Sequence, residues 1–194
     1  MLSYKESLKI LKETNALIEG HFILSSGLHS EKYVQCAKLL SHPHKAEKLC
    51  LSLSEKIKES FPQIDLILSP AMGGIIIGYE IAKILKIESI FAERVDGIFK
   101  LRRGFEIKKG QKILIVEDVI TTGKSSLECS SLGTKVGAEI LGYACLIDRS
   151  NGKSKINKKI VSQVEINIPT YKLEEIPDHL KDKKAIKPGS RNLR

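Results

Sequence analysis

Apolar positions in this chain gather into short runs separated by polar stretches. Ile64 to Ser69, Ile87 to Glu93, Ile113 to Val116 and Glu139 to Asp148 are compact and mostly apolar. The third run is largely β-branched, the mark of a strand buried on both faces of a parallel sheet. An apolar helix is predicted from Ile75 to about Leu85, and another helix over Ser125 to Val136. Upstream, Pro43 reads as the first residue of a helix whose apolar face is Ala46, Leu49, Cys50, Leu53 and Ile57. Ser3-Tyr4-Lys5-Glu6 has the spacing of a capping box. Leu8, Leu11 and then Leu17-Ile18 extend a helical stripe that Gly20 would stop.

His21 to Gln35 mixes apolar and small polar residues, as a loop and a strand would. Beyond Asp148, Asn151 to Lys159 is a polar, lysine-rich turn, and Ile160 to Ile168 alternates like an edge strand. Pro169 to Lys184 has room for a short helix, and Lys187 to Arg194 reads as frayed. The alternation of strands and helices predicts an α/β fold with a parallel sheet flanked by helices.

Composition narrows the class. A chain of 194 residues, 42% hydrophobic and 28% charged, has the make-up of one globular domain with a sizeable core. Charges recur every few residues from Met1 to Lys12, unlike a signal peptide, and the longest uncharged run, Leu66 to Tyr79, is too short to span a bilayer. A cytoplasmic protein with no membrane partner is expected. Cys36, Cys50, Cys129 and Cys145 are scattered without a C-x-x-C pair, so reduced thiols are expected rather than a disulfide framework or zinc site. His42-Pro43-His44 lacks nearby acidic or cysteine ligands, and the helix-start reading of Pro43 is preferred over a metal site.

The net charge is +9; residues 151–194 hold eleven Lys/Arg against five Asp/Glu, a net of +6. Such a surface suits nucleic acid, steers a polyanionic small substrate, or reflects a lysine-rich proteome. With no Trp, five Tyr, five Phe and no stacking pattern, nucleic acid is not the expected partner.

The candidate chemistry lies at the carboxyl ends of the predicted strands, where open α/β sheets bind ligands. Glu117 and Asp118 follow the Ile113–Val116 run. After Val119 and Ile120 come Thr121-Thr122-Gly123-Lys124-Ser125, small hydroxyl residues around a glycine at a helix N-terminus. That composition makes an anion cradle. A nucleotide P-loop would need a further glycine at position 118, which is Asp118, so a P-loop NTPase is excluded. Pro70-Ala71-Met72-Gly73-Gly74 is a second strand–helix junction; its glycines either admit a ligand to the backbone or ease helix packing. Arg94 to Gly110, with Lys100, Arg102, Arg103, Lys108 and Lys109, is either a mobile functional loop or a hairpin with a solvated charge run, and both readings are compatible. Arg149, after Asp148, could pair with a planar acidic ligand or form an ordinary salt bridge.

Residues 113–125 resemble the phosphoribosyl-pyrophosphate (PRPP) signature of the type I phosphoribosyltransferases: apolar strand, two acids, two apolar residues, Thr-Thr-Gly, then a small residue. Phe22-Ile23-Leu24-Ser25-Ser26-Gly27 with Ser30, Leu101-Arg102-Arg103-Gly104-Phe105, and Ile147-Asp148-Arg149 are similar to the orotate-using members, over nearly the whole chain. The resemblance implies one domain over residues 1–194, a parallel sheet with helices, and a small hood from about 1–40 and 160–194. It implies PRPP and orotate as substrates, Mg2+ as cofactor without direct protein ligands, and a homodimer. PRPP contacts carry over onto Glu117 to Ser125 and Arg94, with pyrophosphate on Ala71 to Gly74. Orotate contacts fall on Thr121 and Arg149. Catalytic roles fall on Glu117 and Asp118, with Lys100 and Arg102 as loop cations. Ser25 stands where many relatives have lysine, and the Lys-x-x-Lys-x-His run of many relatives is absent from the loop. A transferase for a purine base would share every PRPP contact, and a PRPP-sensing regulator that binds nucleic acid would share the signature.

Overall fold

The computed structural model describes residues 1–24 and 26–188. Ser25 of the Ser25-Ser26-Gly27 turn, and most of the stretch expected to fray, lie outside them.

Helix α1 (Tyr4–Glu13) opens with the expected capping box, Ser3 and Glu6 each bonding the other's backbone N–H. It ends four residues before Leu17, so the continuous stripe through Leu17-Ile18 is corrected. Asn15 adopts a left-handed backbone with φ 53°, which stops the helix, and Leu17 starts strand β1 (Leu17–Ile23). Asparagine tolerates that region better than other side chains. Strand β2 (His29–Val34) folds back on β1, a short α2 (Cys36–Leu40) follows, and α3 (Pro43–Ser60) begins at the expected proline. Ala46, Leu49, Cys50, Leu53 and Ile57 are all buried on it.

Next come β3 (Leu66–Pro70), α4 (Gly73–Leu85), β4 (Glu88–Val95), β5 (Ile98–Leu101), β6 (Lys112–Ile120), α5 (Lys124–Lys135), β7 (Glu139–Asp148) and β8 (Ile160–Glu165). The main sheet has the order β5-β4-β3-β6-β7-β8, parallel except for β5, so β8 is an edge as expected. Ile113 to Val116 are fully buried between the sheet's two faces. The chain leaves β3 toward β4 on one side, and β6 lies on the other. That reversal opens a crevice between the carboxyl ends of β3 and β6, the place where α/β sheets take ligands.

The stretch from Arg94 to Gly110 is a hairpin for its first half. Asp96 and Gly97 both have positive φ, 53° and 78°, as a two-residue β-hairpin turn requires. After β5 a tight turn has the same pair of positive φ values, Arg103 at 59° and Gly104 at 72°, with Phe105 N–H donating to Arg102 C=O. Residues 169–184 hold a two-residue strand β9 (Thr170–Tyr171), a 3-10 turn (Leu173–Glu175) and α6 (Asp178–Lys181), rather than one helix alone. Strand β9 completes a second sheet, β1-β2-β9, and Ile186 bonds to the backbone of His21 and Ile23. The two chain ends thus meet in one small sheet, while Leu11 of α1 packs into the main core.

Candidate active site

Three strand ends build the site. From β6 come Glu117 and Asp118, both half-buried. Asp118 accepts from the N–H of Val119 at 2.9 Å. Its carboxyl lies against the loop after β3: a Cβ on Gly73 would stand 2.7–2.8 Å from the Asp118 carboxyl atoms, and one on Gly74 would stand 2.9 Å from the Val116 carbonyl. Only glycine lets this loop pass so close to the acid pair. The Ala71–Met72 peptide is cis, and Ala71 N–H donates to Ala92 C=O on β4 at 2.8 Å. Glycines at 73 and 74 therefore bring the Ala71–Gly74 loop and the acid pair into one crevice.

Burial pushes the carboxyl groups toward their neutral forms. Glu117 is raised to about 7, chiefly by desolvation, with a hydrogen bond from Ser126 acting in the opposite direction. Asp118 is also raised by desolvation, and the Val119 N–H opposes this. Neither acid has a cation within ion-pair distance among the described residues. Two carboxylates kept short of solvent and of counter-charge favour a partner that brings positive charge.

Gly123, φ 76°, is the N-cap of α5 and has no side chain to cap the helix; of the first-turn N–H groups, that of Lys124 donates to Thr122 Oγ1 at 3.4 Å. The first-turn N–H groups thus face a loop of Thr121 and Thr122, which are exposed. A strap from β7 crosses this loop. Arg149 N–H donates to Ile120 C=O at 2.8 Å, Asp148 accepts from Ser150 N–H at 2.7 Å, and Lys155 N–H donates to Thr122 C=O at 3.0 Å. Ile156 packs on the bare face of Gly123, where a Cβ would come within 2.7 Å of it. Arg149 is half-buried beside Tyr33 and Cys36, and its Nε has no hydrogen-bond partner among the described residues. A buried donor left without a partner is costly unless a ligand meets it.

The predicted cations are placed differently. Arg94 lies within electrostatic reach of Glu117, but it donates to Glu128 at 2.5 Å and stacks 4.1 Å over Phe99. Lys100 is exposed on β5 opposite Glu93, which also pairs with Arg102 at 3.5 Å and Arg103 at 2.6 Å. Lys100 and Arg102 are thus on the hairpin, away from the acid pair. Ser126 bonds Glu117 and Ile156 packs on Gly123, each a contact between residues well separated in sequence, and nothing in local spacing marks them. The buried His21 and His29, whose ring nitrogens lie 2.7 Å apart, likewise had no signal.

Residues 37–180 match the family of the phosphoribosyl transferase domain. The chain is 47% identical to the orotate phosphoribosyltransferase of Parvibaculum lavamentivorans, covering 95% of this chain and 97% of that one. It is 46% identical to the orotate phosphoribosyltransferase of Bartonella henselae, covering 99% and 100%. Among solved structures, the orotate phosphoribosyltransferase from Aeropyrum pernix superposes with a TM-score of 0.71 at 21% identity, covering 81% of this chain and 92% of that one, which shows the shared fold.

Proposed function

This chain belongs to the orotate phosphoribosyltransferases of the phosphoribosyl transferase domain family, and on that premise we propose how its own residues divide the work of moving a phosphoribosyl group from PRPP to orotate. The products are orotidine 5′-monophosphate and pyrophosphate, a step of pyrimidine nucleotide synthesis. The observation that carries the assignment of roles is the approach of the Asp118 carboxyl to Gly73. It joins the acid pair to the glycine loop in one crevice.

Glu117 and Asp118 accept hydrogen bonds from the ribose hydroxyls. Thr121 to Ser125, with Val119 and Ile120 bringing the chain to them, hold the 5′-phosphate at the N-terminus of α5. Ala71 to Gly74 receive the pyrophosphate. As the C1–O bond breaks, the ribose gains positive charge before the orotate nitrogen completes the new C1–N bond. The ionised acids stabilise that charge, and their poor solvation strengthens the interaction. Arg149, with its unpartnered Nε, and Thr121 contact orotate. Arg94, Lys100 and Arg102 are cations for the pyrophosphate side once the hairpin is drawn toward the crevice.

Mg2+ is the proposed cofactor. The fit rests on two carboxylates without a counter-cation among the described residues, whose negative charge favours a hard cation carried in by a polyanionic ligand rather than ligated directly. The ion would be held mainly through PRPP beside Glu117 and Asp118, with few direct protein ligands, and it would supply neutralisation of the charge on the departing pyrophosphate. The same reading includes a cytoplasmic enzyme and a homodimer. Support for the latter is the exposed apolar face of Met72, Ile76 and Tyr79 beside the pyrophosphate loop. Among the described residues no helix is long and apolar enough to cross a membrane.

The test is pyrophosphate release from PRPP and magnesium with orotate, adenine, guanine, hypoxanthine or uracil supplied separately. Turnover with orotate alone is expected. Turnover with a purine alone would overturn the assignment of the base.

A further inference from the structure

We propose that Ser126 is the positioning residue for Glu117, donating its hydroxyl to one carboxylate oxygen so that the group is held ionised and its other oxygen is available to the ribose. The inference rests on the reading of Glu117 as a ribose contact. Ser126 is fully buried on the first turn of α5, and its Oγ–H donates to Glu117 Oε2. The contact joins the strand that carries the acids to the helix that carries the phosphate cradle. A carboxylate gripped at one oxygen loses rotational freedom and presents the second, Oε1, in a fixed direction.

The charge on Glu117 is finely balanced. Its surroundings contain Asp118 on its own strand, Arg94 on β4, and the thiols of Cys129 on α5 and Cys145 on β7. Asp118 disfavours the ionised form. Arg94 favours it, but Arg94 is shared with Glu128 and with the Gly97 carbonyl at 2.6 Å. Both thiols are pushed up by burial and stay neutral. Of the groups that favour the carboxylate, Ser126 acts most strongly. A neutral Glu117 would present an O–H and no charge to a cationic sugar, the wrong partner for the ribose hydroxyls. The Ser126 hydroxyl therefore shifts the balance toward the acceptor form near neutral pH.

The test compares Ser126→Ala, Ser126→Thr and Glu117→Gln with the parent protein. Isothermal titration calorimetry measures binding of PRPP with magnesium from pH 5.5 to 9. Carboxyl 13C NMR of glutamate-labelled protein follows the ionisation of Glu117 without substrate, with Glu117→Gln identifying the signal. In Ser126→Ala the carboxyl titration and the acid limb of PRPP binding should move up together by about one pH unit, the scale of one hydrogen bond to a charged group. Affinity then falls about tenfold at pH 6.5 and changes less than about threefold at pH 9. Ser126→Thr, which keeps the hydroxyl, should restore the parent profile. Equal losses at both pH values would overturn the proposal, as would an unmoved carboxyl titration while PRPP binding still depends on Glu117. A Glu117→Gln protein that binds PRPP as tightly as the parent would instead overturn the ribose reading itself.

Discussion

At the scale of single residues, the site stores negative charge at a cost to the fold. Glu117 is raised from an ordinary glutamate value to about 7, mainly by desolvation. The sign follows from linkage. Between pH 4.5 and about 7 the folded protein holds a proton on Glu117 that the unfolded chain has released. Stability therefore falls as pH rises through that window, and the penalty is fully present above it. Glu117→Gln has no charge to desolvate. It should raise thermal stability at pH 8 by an amount on the order of 1–3 kcal/mol and by much less at pH 5. Thermal melts of the two proteins at both pH values check this; equal gains at pH 5 and pH 8 would show that desolvation of this carboxylate is not the cause. The same variant should lose affinity for PRPP, as expected where a site trades stability for activity.

Among the elements, β6 and α5 depend on what crosses them. The turn between them is held from outside by the strap after β7, through the Lys155 N–H and the side chain of Ile156. Ile156→Ala would leave Gly123 without that packing and let the phosphate loop move. We expect the KM for PRPP to rise about tenfold with kcat little changed, the pattern for loss of ground-state binding. Steady-state kinetics with PRPP varied at saturating orotate measures it, and a fall in kcat at constant KM would contradict it. The legibility of the chain divides at the same place. Strand β6, the proline start of α3 and the capping box of α1 were readable because each is specified by neighbours in sequence. The end of α1 was not, since Leu17-Ile18 continues the helical spacing and only the left-handed Asn15 interrupts it. Ser126 and Ile156 were unreadable for a different reason. Ser126 meets an acid nine positions away, and Ile156 meets a glycine 33 positions away, contacts set by the packing of β6, α5 and β7. Tertiary contacts of this kind leave no periodic trace.

For the whole molecule, the order of strands explains why residues far apart in sequence share one crevice. Reversal between β3 and β6 sets Gly73 beside Asp118, and β7 beyond them delivers Arg149. On the hairpin of β4 and β5, Lys100 lies opposite Glu93 across the strand pair and Arg102 is ion-paired to it. Strand order of this kind is not written in any local pattern, though the carboxyl-end placement of the acids already pointed to that edge. Met72 at the start of α4, and Ile76 and Tyr79 on the helix, are exposed at 82%, 55% and 64%. Apolar residues grouped in this way commonly mark an interface. On the homodimer reading, Ile76→Asp with Tyr79→Glu should shift sedimentation from dimer to monomer at micromolar concentration. A parent protein that already sediments as a monomer would remove that reading.

The most direct measurement is a crystal structure of the protein with magnesium and PRPP. The ribose hydroxyls should lie within about 3 Å of the Glu117 and Asp118 carboxylates, the 5′-phosphate on the backbone N–H groups of Thr121 to Ser125, and the pyrophosphate along Ala71 to Gly74. A sugar bound elsewhere, or bound with both acids turned from its hydroxyls, would contradict it.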